Sequence, residues 1–140
     1  MIIFFALLPV FSYLHEGGHA LVCIADGNEA EISVDIINGG TTLCHGDVSN
    51  LFAYKISGGL LAGIIGTTAG IALFRWKIPF IAVITIGVGH LINAGIEAVA
   101  DSYYTHGGEW SAFMGLVEVV IFLTLLIIFD RKMVKRNDVL

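Results

Sequence analysis

His15-Glu16-Gly17-Gly18-His19 sets two imidazoles four residues apart, with a carboxylate directly after the first. On a helix, residues four apart lie on one face. Both rings can then reach one metal ion, and Glu16 stands close enough to take a proton from an attacking water. Zinc suits this donor set, because two imidazoles and a carboxylate leave a fourth coordination position open. All of these side chains fall inside an apolar run, where a buried charge costs roughly 2.5–3.5 kcal/mol on insertion scales. Such residues call for pairing or function, and two stray histidines satisfied by helix contacts would be the bland alternative. Gly17 and Gly18 cost about 1 kcal/mol each in a helix interior. They also remove bulk beside the metal, which would let a peptide backbone approach.

A tetrahedral site needs a third protein ligand. His90, Asn93, Glu97 and Asp101 are spaced by three, four and four residues, so they share one helical stripe. A polar stripe on an apolar span is expected to face the interior of a bundle. Matching depths along parallel spans favours Glu97 as the partner of His15 and His19, with His90 and Glu118 as further candidates.

The elements that would position these residues are apolar. The chain has 140 residues, 56% hydrophobic and 14% charged, and a mean hydropathy of +0.86. Soluble domains are about 45–50% apolar and about 25% charged, so lipid is the expected main solvent. A net charge of −5 argues against a nucleic-acid partner. Four stretches reach the roughly 20 apolar residues of a membrane-spanning helix: 2–24, 51–74, 78–100 and 111–129. Between the first two, polar and apolar residues alternate over Glu31–Ile36, and Asn38-Gly39-Gly40 precedes Thr41-Thr42-Leu43. That pattern predicts a β-hairpin over about 29–45 with a glycine turn.

The expected fold is an all-α polytopic membrane protein of about four transmembrane helices, with a small β-hairpin between the first and second. A single domain covers 1–130, followed by a basic tail, 131–140. Arg75 and Lys77 would share one side of the membrane with Arg131, Lys132, Lys135 and Arg136, which places both termini in the cytoplasm. Met1 opens directly into an apolar run, so no removable leader is expected. Gly59/Gly63 and Gly66/Gly70 are small-residue pairs suited to close helix packing. Two cysteines are too few for a disulfide framework. Cys23 reads as a small buried hydrophobe, and Cys44 as a turn residue.

His15 to Leu21 is similar to the HExGHA segment of the site-2 protease family of intramembrane zinc metalloproteases. Asp26-Gly27 with the hairpin, and Ser57-Gly58-Gly59-Leu60-Leu61-Ala62-Gly63, resemble that family's following segments. Asn93 and Asp101 keep the spacing of its second motif, although both prolines are missing and Ser102 stands where the family has glycine. The resemblance covers roughly residues 10–110 and is closest to a minimal, short-loop branch. It implies zinc held by His15, His19 and Asp101, with Glu16 as the catalytic base and Asn93 holding the substrate backbone. The substrate it implies is a transmembrane protein or peptide, cut within the bilayer. Many members place the HExxH end of the helix near the cytoplasm, whereas the charge pattern here places it near the outer face. Two other functions fit the same pattern: a non-catalytic membrane subunit that binds a partner helix, and a metal carrier. Four spans without an internal repeat are few for a carrier.

Overall fold

The computed structural model describes residues 2–35, 39–100 and 107–137, and side chains over 2–35, 39–100 and 113–129. The elements run α1 (Ile2–Ala25), β1 (Glu29–Asp35), β2 (Gly39–His45), α2 (Leu51–Ala72), α3 (Lys77–Val99) and α4 (Gly107–Asn137). Four helices and one antiparallel hairpin are the expected elements in the expected order. The helix expected over 111–129 runs on to Asn137, so the basic segment begins as its continuation.

Among the described residues, α2 and α3 are long and apolar enough to cross a membrane. The 24 residues of α1 have the length, but His15, Glu16 and His19 interrupt its apolar run. Phe4 and Phe11 of α1 pack with Ala62 of α2, Ile81, Ala82, Val83 and Ile86 of α3, and Phe122 of α4. Phe4 and Phe122 stack with centroids 4.7 Å apart and planes 25° from parallel. This apolar core meets the N-terminal half of α1 and leaves the polar residues to the other half.

α2 and α3 approach backbone to backbone. A Cβ at Gly66 would lie 2.6 Å from the Gly87 Cα, and a Cβ at Gly59 would lie 2.5 Å from the His90 carbonyl oxygen. The small-residue pairs therefore act as helix-packing surface, which brings the polar stripe of α3 close to α2. α2 begins at Asn50, whose side-chain oxygen accepts the Ala53 N–H at 2.9 Å and caps the helix.

α1 ends in a short hydrogen-bonded turn: Gly27 N–H donates to the Ile24 carbonyl at 2.9 Å, and Asn28 N–H to that of Cys23 at 3.2 Å. Gly27 has φ 83°, a left-handed conformation that favours glycine. The hairpin then pairs Glu29 with His45 through Asp35 with Gly39. Both strands are longer than the alternation alone predicts, and Gly39 and Gly40 open β2 instead of forming the turn. Asn38 lies outside the described residues. Along β2, Gly40, Thr42 and Cys44 are partly buried while Thr41, Leu43 and His45 are exposed.

The reading of the cysteines is corrected. Cys23 and Cys44 form a disulfide with Cα atoms 5.9 Å apart, so Cys23 is a cross-link and Cys44 a strand residue. The bond joins α1 to β2 across 21 positions of sequence, a pairing that residue counts do not reveal.

Candidate metal centre

His15 and His19 project from adjacent turns of α1 with ring centroids 4.9 Å apart. Their Nε2 atoms face each other at 3.2 Å. Glu97 reaches them from α3, with Oε1 at 3.0 Å from His15 Nε2 and Oε2 at 3.7 Å from His19 Nε2. All three side chains are buried, and Glu97 is only 1% exposed. Each offers one donor atom within 4.8 Å of the others.

Hydrogen bonds behind the cluster fix which atoms face inward. His19 Nδ1 lies 2.7 Å from the Tyr54 carbonyl oxygen. A carbonyl only accepts, so Nδ1 carries the proton and the Nε2 of neutral His19 is a lone pair aimed at the cluster. His15 Nδ1 lies 3.2 Å from His90 Nδ1. His90 therefore backs the His15 ring instead of joining the donor set, and its own ring stacks on Phe11 at 5.9 Å. Asn93 Nδ2 donates to Glu97 Oε1 at 2.9 Å and orients the carboxylate. Such outer contacts are what hold metal ligands in place.

The donor set fits a tetrahedral ion. Ligand atoms about 2.0–2.1 Å from zinc stand about 3.3 Å apart; the two imidazole Nε2 atoms are 3.2 Å apart, and the Glu97 carboxylate meets each ring through a different oxygen, Oε1 at 3.0 Å from His15 and Oε2 at 3.7 Å from His19. Glu97 Oε2 is buried with no hydrogen-bond partner, and it faces the His19 lone pair. Two acceptors turned toward each other in a buried site are unfavourable alone, and a cation between them satisfies both.

Glu16 is buried beside the cluster but points to the hairpin. Its Oε2 accepts the Thr42 hydroxyl at 2.7 Å, and its carbonyl oxygen lies 3.0 Å from the same hydroxyl. Gly17 has nothing within 4 Å of where a Cβ would stand, whereas a Cβ at Gly18 would lie 2.6 Å from the Ser57 carbonyl carbon. The idea that both glycines open space for a peptide is thus corrected. Gly18 makes room for α2, and Gly17 alone faces open space. A Cβ at Gly58 would lie 2.8 Å from the His15 carbonyl oxygen and 2.8 Å from the His19 ring, so α1 and α2 meet at the site through glycine on both sides.

The structure therefore brings His15, His19 and Glu97 together, with Glu16, Asn93 and His90 around them. Asp101 lies outside the described residues. Glu118 is buried on α4 against Gly89, outside the donor cluster. Sequence reasoning missed Thr42, the Tyr54 carbonyl and the disulfide. The alternation Gly40-x-Thr42-x-Cys44, which puts these three on one strand face, was the available signal for two of them. No protein-family model, curated protein or solved structure matches this chain.

Proposed function

We propose that this chain is a zinc-dependent intramembrane endopeptidase that hydrolyses a peptide bond in or near a transmembrane segment of a membrane protein. The observation that carries the reading is the convergence of two imidazole nitrogens and the Glu97 carboxylate, contributed by helices 82 positions apart in sequence, next to a second buried carboxylate, Glu16. A non-catalytic subunit has no need of a carboxylate that completes the two-histidine set. The spacing and order of these residues resemble the site-2 protease family, with Glu97 in the ligand role that the resemblance assigns to Asp101.

His15, His19 and Glu97 would hold the ion, and three protein ligands would leave a fourth tetrahedral position for water or substrate. Zinc bound there would supply a Lewis acid for a carbonyl and for water. Glu16 takes the proton of the attacking water and passes it to the leaving amine. His90 and the Tyr54 carbonyl keep the two ligand rings turned inward. Asn93 orients Glu97, and it also stands on the stripe where the resemblance places a contact to the substrate backbone.

A four-span arrangement is supported by the outward faces of the helices. Ile3 and Phe5 on α1, Ile64 on α2, Ile92 on α3, and Leu116 and Val120 on α4 are all exposed, as lipid-facing residues are. A disulfide belongs to an oxidising compartment, which favours an outer position for the hairpin end of α1. Arg75 and Lys77, at the opposite end of α2 and α3, then face the cytoplasm together with both termini. The two arguments are independent and agree.

The test is the metal content of detergent-purified protein, wild type beside His19→Ala, Glu97→Ala and Asp101→Ala, with cleavage of a library of single-span peptides by wild type and Glu16→Gln. The expected result is near-stoichiometric zinc, lost in His19→Ala and Glu97→Ala and kept in Asp101→Ala. Cleavage should be lower by about 10²–10⁴-fold in Glu16→Gln. A wild type that takes up no zinc even when it is supplied would overturn the proposal. Full cleavage by Glu16→Gln would overturn the mechanism.

A further inference from the structure

β2 lies along α1 and points the same way. Gly40 and Thr42 face Glu16, and Cys44 is bonded to Cys23 seven residues further along the helix. Seven helical residues rise about 10.5 Å, and the four steps from Gly40 to Cys44 span about 13 Å. From Gly40 to Cys44 as a whole, strand and helix advance by similar lengths. All three contacts use the partly buried face of β2. At Gly40 a Cβ would lie 2.7 Å from Glu16 Oε1, so a side chain there would push the carboxylate from its place. Thr42 holds the other oxygen at 2.7 Å, an ordinary length for a hydroxyl donor to oxygen. The Tyr54 hydroxyl reaches the Thr42 carbonyl at 3.4 Å from α2.

The Thr42 hydroxyl also lies 3.0 Å from the Glu16 carbonyl oxygen, which ties strand to helix backbone, but its shorter contact is to the carboxylate. A threonine whose only task was to fill a strand would serve equally as valine, and the neighbouring Thr41 is exposed. The Thr42 hydroxyl instead finds a buried carboxylate on the helix that carries two of the donor histidines. We propose that β2 is the positioning strand of Glu16: the Thr42 hydroxyl holds the carboxylate in one orientation, Gly40 leaves it room, and the Cys23–Cys44 bond fixes the strand's register. Thr42 is a positioning residue that acts through Glu16. The inference rests on the reading of Glu16 as the proton-transfer group.

The test compares wild type, Thr42→Val, Thr42→Ser and Glu16→Gln as full chains in detergent, with two readouts. The first is infrared absorption of the metal-stripped protein, with the Glu16 carboxylate band assigned by its loss in Glu16→Gln. That band should shift in Thr42→Val and return in Thr42→Ser. The second uses the zinc-loaded protein and acetohydroxamate, a small chelator that binds through two oxygens and whose O–H proton an adjacent carboxylate can accept. Thr42→Val should keep its zinc and bind acetohydroxamate about tenfold more weakly, and Thr42→Ser should recover binding to within about twofold.

A carboxylate band unmoved by Thr42→Val, or acetohydroxamate binding equal to wild type, would overturn the assignment. So would zinc loss in Thr42→Val, because Thr42 would then support the ligands and not Glu16. If wild type takes up no zinc, the endopeptidase reading fails, while the infrared comparison still decides whether Thr42 holds Glu16.

Discussion

The two sides of α1 at the candidate site are held by different physics. Toward α2 and α3 the contacts are backbone-close. Gly18 and Gly58 let the helices touch, the Tyr54 carbonyl locks His19, and Glu97 reaches in from α3 with Asn93 behind it. Toward the hairpin the contacts are a hydroxyl and a covalent bond, Thr42 to Glu16 and Cys44 to Cys23. The proposed metal ligands thus depend on helix packing, and the Glu16 carboxylate depends on a two-stranded sheet. A two-stranded hairpin is only marginally stable alone, so the second support needs its cross-link while the first does not. Substitutions on the two sides should separate metal binding from the placement of Glu16.

The largest effect belongs on the helix side. At Gly18 a new side chain meets the Ser57 carbonyl carbon and the Gly58 Cα at 2.6 and 2.7 Å, and backbone cannot turn aside as a flexible side chain can. Gly18→Val should cost about 3 kcal/mol, the upper part of the overpacking range, and abolish zinc binding by separating α1 from α2. Gly17→Ala is the matched control, because nothing lies within 4 Å of its Cβ position. It should gain up to about 1 kcal/mol through helix propensity and leave zinc untouched. Thermal unfolding and zinc stoichiometry in detergent check both. Equal behaviour of the two variants would mean that the helix-side contact does not hold the ligands.

Cutting the cross-link should have a smaller and different effect. The loop closed by Cys23–Cys44 is of a length for which chain entropy alone yields about 3 kcal/mol. On the membrane reading proposed above, helices that stay inserted when the protein loosens would already restrain its ends, so Cys44→Ser should cost about 2 kcal/mol, at the low end of the usual range. Zinc content should remain near wild type, while acetohydroxamate binding weakens as in Thr42→Val. Loss of zinc in Cys44→Ser would show that the two supports are one.

Legibility in the sequence divides along the same line. His15 and His19 are four residues apart, so their shared face follows from the helix repeat alone, and the depth argument reached Glu97 because α1 and α3 run in the same direction. The hairpin was legible from alternation. The supports around the donors were not. Whether His90 would be a ligand or back one depends on a ring orientation that spacing does not fix. The Thr42–Glu16 contact depends on which face of β2 meets α1, and a slip of one residue would turn Thr42 outward. The disulfide escaped for the same reason, since two cysteines 21 positions apart pair only if strand and helix run in step. Gly18 was legible as a small residue but not as the place where a second helix touches.

The smallest expected effect lies where the hairpin segment leaves and rejoins the helices. The Asp26 carboxylate accepts the Ser49 hydroxyl at 2.6 Å and the Ser49 backbone N–H at 2.8 Å, tying the end of α1 to the chain just before α2. These two bonds hold the Asp26 carboxyl below its ordinary pKa, because they favour the charged form. A group whose folded pKa is lowered adds stability that is present above its unfolded value, about 3.9 for aspartate, and lost as pH falls through the folded value. Asp26 is fully exposed, so water competes for both bonds and the contribution is small. Amide exchange across the hairpin should quicken slightly when the pH drops below the ordinary aspartate range, after correction for the intrinsic pH dependence of exchange. Asp26→Asn should show the quickened exchange already at neutral pH and little further change on acidification. Zinc content should be the same in both, since the tie belongs to the hairpin side. A loss of zinc in Asp26→Asn would place the hairpin's attachment among the supports of the metal ligands and erase the division between the two sides of α1.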